Sequence, residues 1–389
     1  MKKILRVVAP VLLAAAVVAV SFVGYKPRDV YDAAMTAMEQ GDYEMARSHL
    51  ERLEDNPEAQ KLLGELYFVP SRVNTTYPDG TTELQSYAYN RKGCLVKAEL
   101  TKNEIILSTT SYTYTEAGQM LTMDLVMGEE TRPQTTVQNF YNELGHLTSS
   151  RTVGDENTFH QTTYTYGPEG RCSTAFCVQG DGSWERTEYV YDSEGQRTTE
   201  IITTDQGAKT IRHYGINERL HTVSINGKLT ESYIYDQKGL LEQAVYADGR
   251  KITNTYNEIG QLTETLVVDA TGEQQKTTLE YNGKGLLTKR VQETYKGVFT
   301  ETFKYNKKAL CVTYQRQSRY APAYATGTER KDTTEKYTYT YDRHGNVEKE
   351  TYTAPTGSYE RTYKWKTRHY PQGMPQMIED LVAEYQPKE

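Results

Sequence analysis

Tyr233-Ile234-Tyr235-Asp236-Gln237-Lys238-Gly239-Leu240-Leu241 is the cleanest copy of a phrase that this chain writes again and again. In words it is an aromatic, one residue, a second aromatic, Asp or Asn, two residues, Gly, one residue and an apolar residue. Tyr339-Thr340-Tyr341-Asp342-Arg343-His344-Gly345-Asn346-Val347 is a second clean copy. Twelve variants lie between residues 87 and 365, with Asn139, Arg212, Asn254 and Leu279 in place of the first aromatic in four of them. The second aromatic falls at Tyr89, Tyr114, Tyr141, Tyr166, Tyr191, Tyr214, Tyr235, Tyr256, Tyr281, Tyr305, Tyr341 and Trp365. The intervals run from 21 to 27 residues, except for 36 between Tyr305 and Tyr341. A repeat of this period decides the architecture before local propensity can.

Each unit carries two turn signals. After the aromatics comes Asx-x-x-Gly, where the Asx side chain bonds its own backbone and Gly accepts positive φ. About half a unit later come pairs such as Asp79-Gly80, Asp181-Gly182, Asn226-Gly227 and Asp248-Gly249, which are hairpin signals. The runs between are rich in Thr, Tyr, Ile and Leu, and their β-branched and aromatic members favour strands. Each unit therefore reads as two antiparallel strands, and the array as a meander of about two dozen. Residues two apart share a face, so the two aromatics point one way. The slot two after Gly joins them: Leu95, Met120, Leu147, Cys172, Leu220, Leu241, Leu262, Leu287, Cys311 and Val347, with Arg197 the exception. This makes a thin stripe rather than a deep core. The composition agrees, being 37% hydrophobic with 33 Tyr and only 7 Phe. So many strands must twist and curl, and the fold class expected is mainly β: an antiparallel meander coiled into a spiral or partial shell, or a twisted ribbon.

The phrase resembles the YD repeat, also called the RHS repeat, of bacterial surface and secreted proteins, over residues 72 to 366. The resemblance implies a hollow β-shell that can enclose a C-terminal toxin domain, and carbohydrate binding. Two departures count against a toxin-delivery role. About two dozen residues follow Trp365, and no self-cleavage core is recognisable. A shell remnant of a toxin system stays as an alternative.

Lys2, Lys3 and Arg6 precede an uncharged run from Val7 to Tyr25. A basic start before an apolar stretch reads as a signal peptide or membrane anchor over residues 1–26. Either places the rest outside the cytoplasm: as a single-pass membrane protein, or secreted if the signal is cleaved. Residues 27–70 switch to helical period. Within them Ala37–Ala46 resembles the tetratricopeptide helix joint, with Gly41 between two helices and Tyr43 packed in the joint. Pro70 is the boundary to the β-repeat domain at 71–366. In the tail, 367–389, Met377, Leu381 and Tyr385 form one apolar stripe of a short helix, expected to cover a sheet edge.

The chemistry searched for is absent from the sequence. The seven histidines show no metal-ligand spacing. Nucleophile elbows, phosphate loops and dinucleotide fingerprints are missing too. We therefore expect no catalytic residues, no metal, no cofactor and no enzyme. Cys94, Cys172, Cys177 and Cys311 read as small hydrophobes rather than disulfides. A net charge of −7 with no basic run disfavours nucleic acid. The long Tyr305–Tyr341 interval carries Arg316, Arg319, Tyr320, Tyr324 and Arg330. It reads either as a ligand-contacting loop or as an ordinary long hairpin. Trp184, beside a turn, is a further aromatic candidate. The partners expected are the membrane and a glycan or an envelope protein. Adhesion to a cell-wall or surface glycan is the first functional expectation, and a protein-interaction scaffold the second.

Overall fold

The computed structural model describes residues 27–154, 158–322 and 332–387. Among these it contains 24 strands and four α-helices. The candidate export segment lies outside the described residues. No described helix is long and apolar enough to cross a membrane.

The chain divides into two units. The smaller comprises the residues up to Ser71 together with Tyr89–Cys94 and Lys364–Tyr385. Its helices are α1 (Pro27–Gln40), α2 (Tyr43–Leu50), α3 (Pro57–Gly64) and α4 (Gln376–Glu384). Gly41, at φ +75°, turns α1 into α2. Asp42 caps α2 by accepting the Met45 amide at 3.0 Å, and Asn56 caps α3, whose first residue is Pro57. Ala34, Ala46, Leu50 and Ala59 are fully covered between the helices. The small side chains let the backbones approach. Strand β1 (Leu66–Thr76) follows, so Pro70 is a strand residue rather than a junction. In α4 the buried residues are Ile378 and, at its C-cap, Tyr385. The expected stripe of Met377, Leu381 and Tyr385 is thus centred one position away.

The larger unit is the sheet. Strand follows strand from β2 (Thr82–Tyr89) and β3 (Leu95–Lys102) to β23 (Val347–Ala354) and β24 (Gly357–His369), each paired with its sequence neighbours. β1 also pairs with β24, and Arg361 Nε donates to Thr75 Oγ1 across that seam at 3.0 Å. The sheet is therefore a closed 24-stranded antiparallel barrel, not the open spiral expected. Closure removes both edges, and with them the unpaired amides and carbonyls that an open ribbon would expose. No free edge remains for the tail helix to cover.

One turn shows how the phrase works. At Asn282-Gly283-Lys284-Gly285 the Asn282 carboxamide oxygen accepts the amides of Lys284 and Leu286 at 2.9 and 3.1 Å. The Gly285 amide donates to the Asn282 carbonyl at 2.9 Å, with Gly285 at φ +77°. The turn closes on a bulge, with Glu280 opposite Lys289 but Tyr281 opposite Leu287. The bulge frees the Glu280 carbonyl, and the hydroxyl of the skipped Thr288 takes it at 3.0 Å. Thr148, Thr198 and Thr263 do the same in their units.

The faces follow the expected parity. The buried strand residues of this unit, among them Thr187, Val223, Ala244, Phe303, Tyr314, Tyr339 and Glu350, all share the face of the tyrosines. The opposite face exposes Phe140, Val190, Ile234, Val245 and Val298 among many threonines. The tyrosine face is the inner wall. Burial there is uneven. It concentrates in β20 (Gly297–Tyr305) to β24, while most other strands carry no fully buried side chain. The wall is one layer thick for most of its circumference.

Candidate functional site

The hydroxyl of the second aromatic has a fixed target. Tyr114, Tyr141, Tyr166, Tyr191, Tyr235, Tyr256, Tyr281 and Tyr305 donate to the carbonyls of Leu95, Met120, Leu147, Cys172, Leu220, Leu241, Leu262 and Leu287 at 2.6–2.9 Å. Tyr341 donates to Cys311. Each acceptor is the apolar slot residue of the preceding unit. Regular pairing between the two strands begins two residues further on, as at Glu264–Thr278 beside Leu262. The slot carbonyl would otherwise lack a ladder partner, and the phenol supplies one. This is why the position is Tyr and hardly ever Phe. Several of these phenols are held above their ordinary pKa because burial disfavours the phenolate.

The ladder breaks at one rung. Tyr214 turns instead to the Glu200 carboxylate at 2.7 Å, and Arg212 Nη1 donates to the same oxygen at 3.0 Å. Burial opposes the charged form of Glu200. The hydrogen bonds from Tyr214 and Arg212 outweigh it and hold the carboxyl below its ordinary pKa. The slot residue here is Arg197, and the repeat's glycine is replaced by Glu218, which sits at φ +52°. That left-handed conformation is disfavoured for a residue with a Cβ. The two substitutions meet. Arg197 Nη2 lies 3.4 Å from the Glu218 carboxylate, which also accepts the Arg197 amide at 3.1 Å. The guanidinium lies over the Tyr214 ring, 4.4 Å from its centroid, and its Nε is buried without a hydrogen-bond partner.

Beside this rung is a cleft of about 400 Å³ lined by Tyr164, Tyr166, Cys172, Tyr189, Tyr191, Arg197 and Glu218. β8 (Phe159–Tyr166), β10 (Trp184–Tyr191) and β11 (Arg197–Thr204) supply most of it. The hydroxyls of Tyr166 and Tyr191 are occupied by the ladder. Those of Tyr164 and Tyr189 have no hydrogen-bond partner among the described residues. Burial pushes the Tyr189 phenol and the Cys172 thiol up, so both are neutral at pH 7. The cleft thus presents four rings, two free hydroxyls and a charge pair, with no activated nucleophile. The four cysteines are free, and no group of three metal-ligating side chains occurs among the described residues.

The residues singled out in the sequence do not assemble into one site. Arg316, Arg319 and Tyr320 belong to β21 (Cys311–Tyr320), because β20 is long enough to pair with it as far as Gly297–Tyr320. They are strand residues, not loop residues. Arg316 and Tyr320 share the inner face, where Tyr320 meets Phe299 edge-on at 5.6 Å. Arg319 takes the outer face. Trp184 is on the outer face of β10, packed on Phe176 at 5.6 Å. Tyr324 and Arg330 lie outside the described residues. The cleft itself was signalled by Arg197 as the exception in the apolar slot, and by the missing glycine at Glu218.

No family model matches the sequence, and no curated protein matches it. Solved structures do. The crystal structure titled TcdB2-TccC3-Cdc42 aligns at 14% identity and a TM-score of 0.36, covering 74% of this chain and 18% of that one. TcdB2-TccC3 without its hypervariable C-terminal region aligns at 15% and 0.37, covering 79% and 20%. A porin-like protein from Bacteroides uniformis aligns at 11% and 0.22, covering 76% and 96%. This chain spans about a fifth of the length of the TcdB2-TccC3 chains.

Proposed function

We propose that this chain is a non-enzymatic binding protein, acting outside the cytoplasm, whose broken rung holds a sugar ring of a cell-wall or surface glycan. The observation that carries the reading is the coupled pair Arg197 and Glu218 beside the tyrosine cleft. A repeat protein that departs from its own rule at two interlocked positions keeps the departure for use rather than for folding. Flat phenol rings offer faces for the C–H side of a sugar. The Tyr164 and Tyr189 hydroxyls can exchange hydrogen bonds with its hydroxyls, and the Arg197–Glu218 pair can bridge a vicinal diol. Nothing in the cleft could attack a substrate at neutral pH.

The test is calorimetric titration of the full-length protein with isolated cell walls and a panel of oligosaccharides. It is run beside Tyr189→Phe and the double variant Arg197→Leu/Glu218→Gly, with folding checked by circular dichroism. Saturable binding that the double variant loses supports the reading. Equal binding by the folded variants would remove the cleft from consideration. No binding to any glycan would favour the second reading, a protein-interaction scaffold of the cell envelope.

A further inference from the structure

The outer wall carries a row of lysines that no part of the cleft uses. Even-numbered strands β12 (Lys209–Tyr214), β14 (Lys228–Tyr235), β16 (Lys251–Tyr256), β18 (Gln274–Tyr281), β20 and β22 (Thr333–Tyr341) follow one another in the barrel. Each holds one lysine on the face opposite its ladder tyrosine: Lys209, Lys228, Lys251, Lys276, Lys304 and Lys336. Lys209, Lys251, Lys276 and Lys336 each stand five residues before that tyrosine, at one level of the wall. Alternate strands lie about 10 Å apart, and this sets the pitch of the row. None of β2, β4 (Ile105–Tyr114), β6 (Thr135–Tyr141), β8 and β10 has a lysine on that face. Lys276 is paired with Glu264 at 2.7 Å. The other five lysines are exposed, with no ion-pair partner among the described residues. Arg319 adds an exposed cation on the same face of β21.

We infer that this row docks a linear phosphate polymer along the outer wall. A single file of point charges at regular pitch matches a flexible chain of anions, which can follow a convex surface. A flat bilayer would meet only a few of the lysines at once. Lysine binds phosphate as a hydrated point charge. The threonines between the lysines offer hydroxyl donors but no stacking platform, so the row has no means of selecting among bases.

Long-chain inorganic polyphosphate is the probe, titrated into the full-length protein over a range of salt concentrations. Neutralising six phosphates predicts a slope of log K against log salt of roughly −4. The variant Lys251→Gln/Lys276→Gln/Lys336→Gln is expected to bind roughly tenfold more weakly or worse, with the slope reduced by about 2. The charge-matched control Lys61→Gln/Lys97→Gln/Lys102→Gln is expected to bind like the parent. Equal losses in the two variants would make the effect one of net charge and overturn the row. Absence of polyphosphate binding overturns the proposal. So does binding confined to phosphatidylglycerol vesicles, which would assign the row to a lipid surface.

Discussion

Arg197 and Glu218, 3.4 Å apart and 21 residues apart in sequence, together replace the aliphatic slot and the glycine of one repeat. Neither substitution is comfortable alone. Leu at 197 would leave the Glu218 carboxylate without its cation, and Gly at 218 would leave Arg197 without its anion. Restoring both consensus residues removes a positive-φ side chain and an unpartnered guanidinium nitrogen. Arg197→Leu/Glu218→Gly is therefore expected to gain about 1–2 kcal/mol in urea denaturation while glycan binding falls. A loss of stability would show that the pair serves the fold.

The ladder hydroxyls stabilise by satisfying one carbonyl each. Tyr281→Phe removes the donor to Leu262 and leaves that carbonyl short of a partner. The expected loss is about 1–3 kcal/mol. Tyr164→Phe removes a hydroxyl that has no protein partner, and should change stability by less than about 0.5 kcal/mol. Equal effects at the two sites would refute the ladder as the reason for tyrosine.

Alkaline pH should dismantle the barrel cooperatively. Tyr141, Tyr166, Tyr191, Tyr235 and Tyr256 have folded pKa values above the ordinary 10.0, burial being the main cause. Their contribution is present in full below the unfolded value. It is lost as pH rises through the folded ones, because the unfolded chain releases its protons first. Each group contributes a slope of up to about 1.4 kcal/mol per pH unit in that window. A midpoint followed from pH 8 to 12 should stay level and then drop steeply above about pH 10.

Glu350 is the most enclosed carboxylate of the inner wall, 7% exposed. It accepts the hydroxyls of Tyr359 and Tyr363 at 2.8 and 3.3 Å and faces Arg361 at 3.5 Å. Glu350→Ala leaves that guanidinium and both phenols without their acceptor. A loss of about 3–5 kcal/mol is expected. Glu360→Ala, on the outer face of the same sector and paired with Lys349, should change stability by less than about 1 kcal/mol.

Strand content, hairpin order and the inner face were legible because they rest on short-range rules. Asn282 and Gly285 fold their own turn, and parity alone carries Tyr281 to the side of Leu287. The thin Tyr and aliphatic stripe was legible for the same reason. The role of the phenol oxygen was not, because the Leu262 carbonyl is identifiable as unpaired only once the register of β17 (Leu262–Val268) on β18 is known. The long interval misled on one point. Arg316, Arg319 and Tyr320 were read as one patch. Strand pairing with β20 extends through them and sends alternate side chains to opposite faces. The cleft could have been found by asking where the repeat breaks its own spelling.

By itself the sequence determined the repeat, the antiparallel hairpins and which side chains share a face, since turn chemistry and alternation act over fewer than ten residues. Only the tertiary structure decided that the sheet closes and that Arg197 meets Glu218. It also lined six lysines along one wall. Closure depends on small twists summed over 24 strands until β1 reaches β24. No local rule contains that sum.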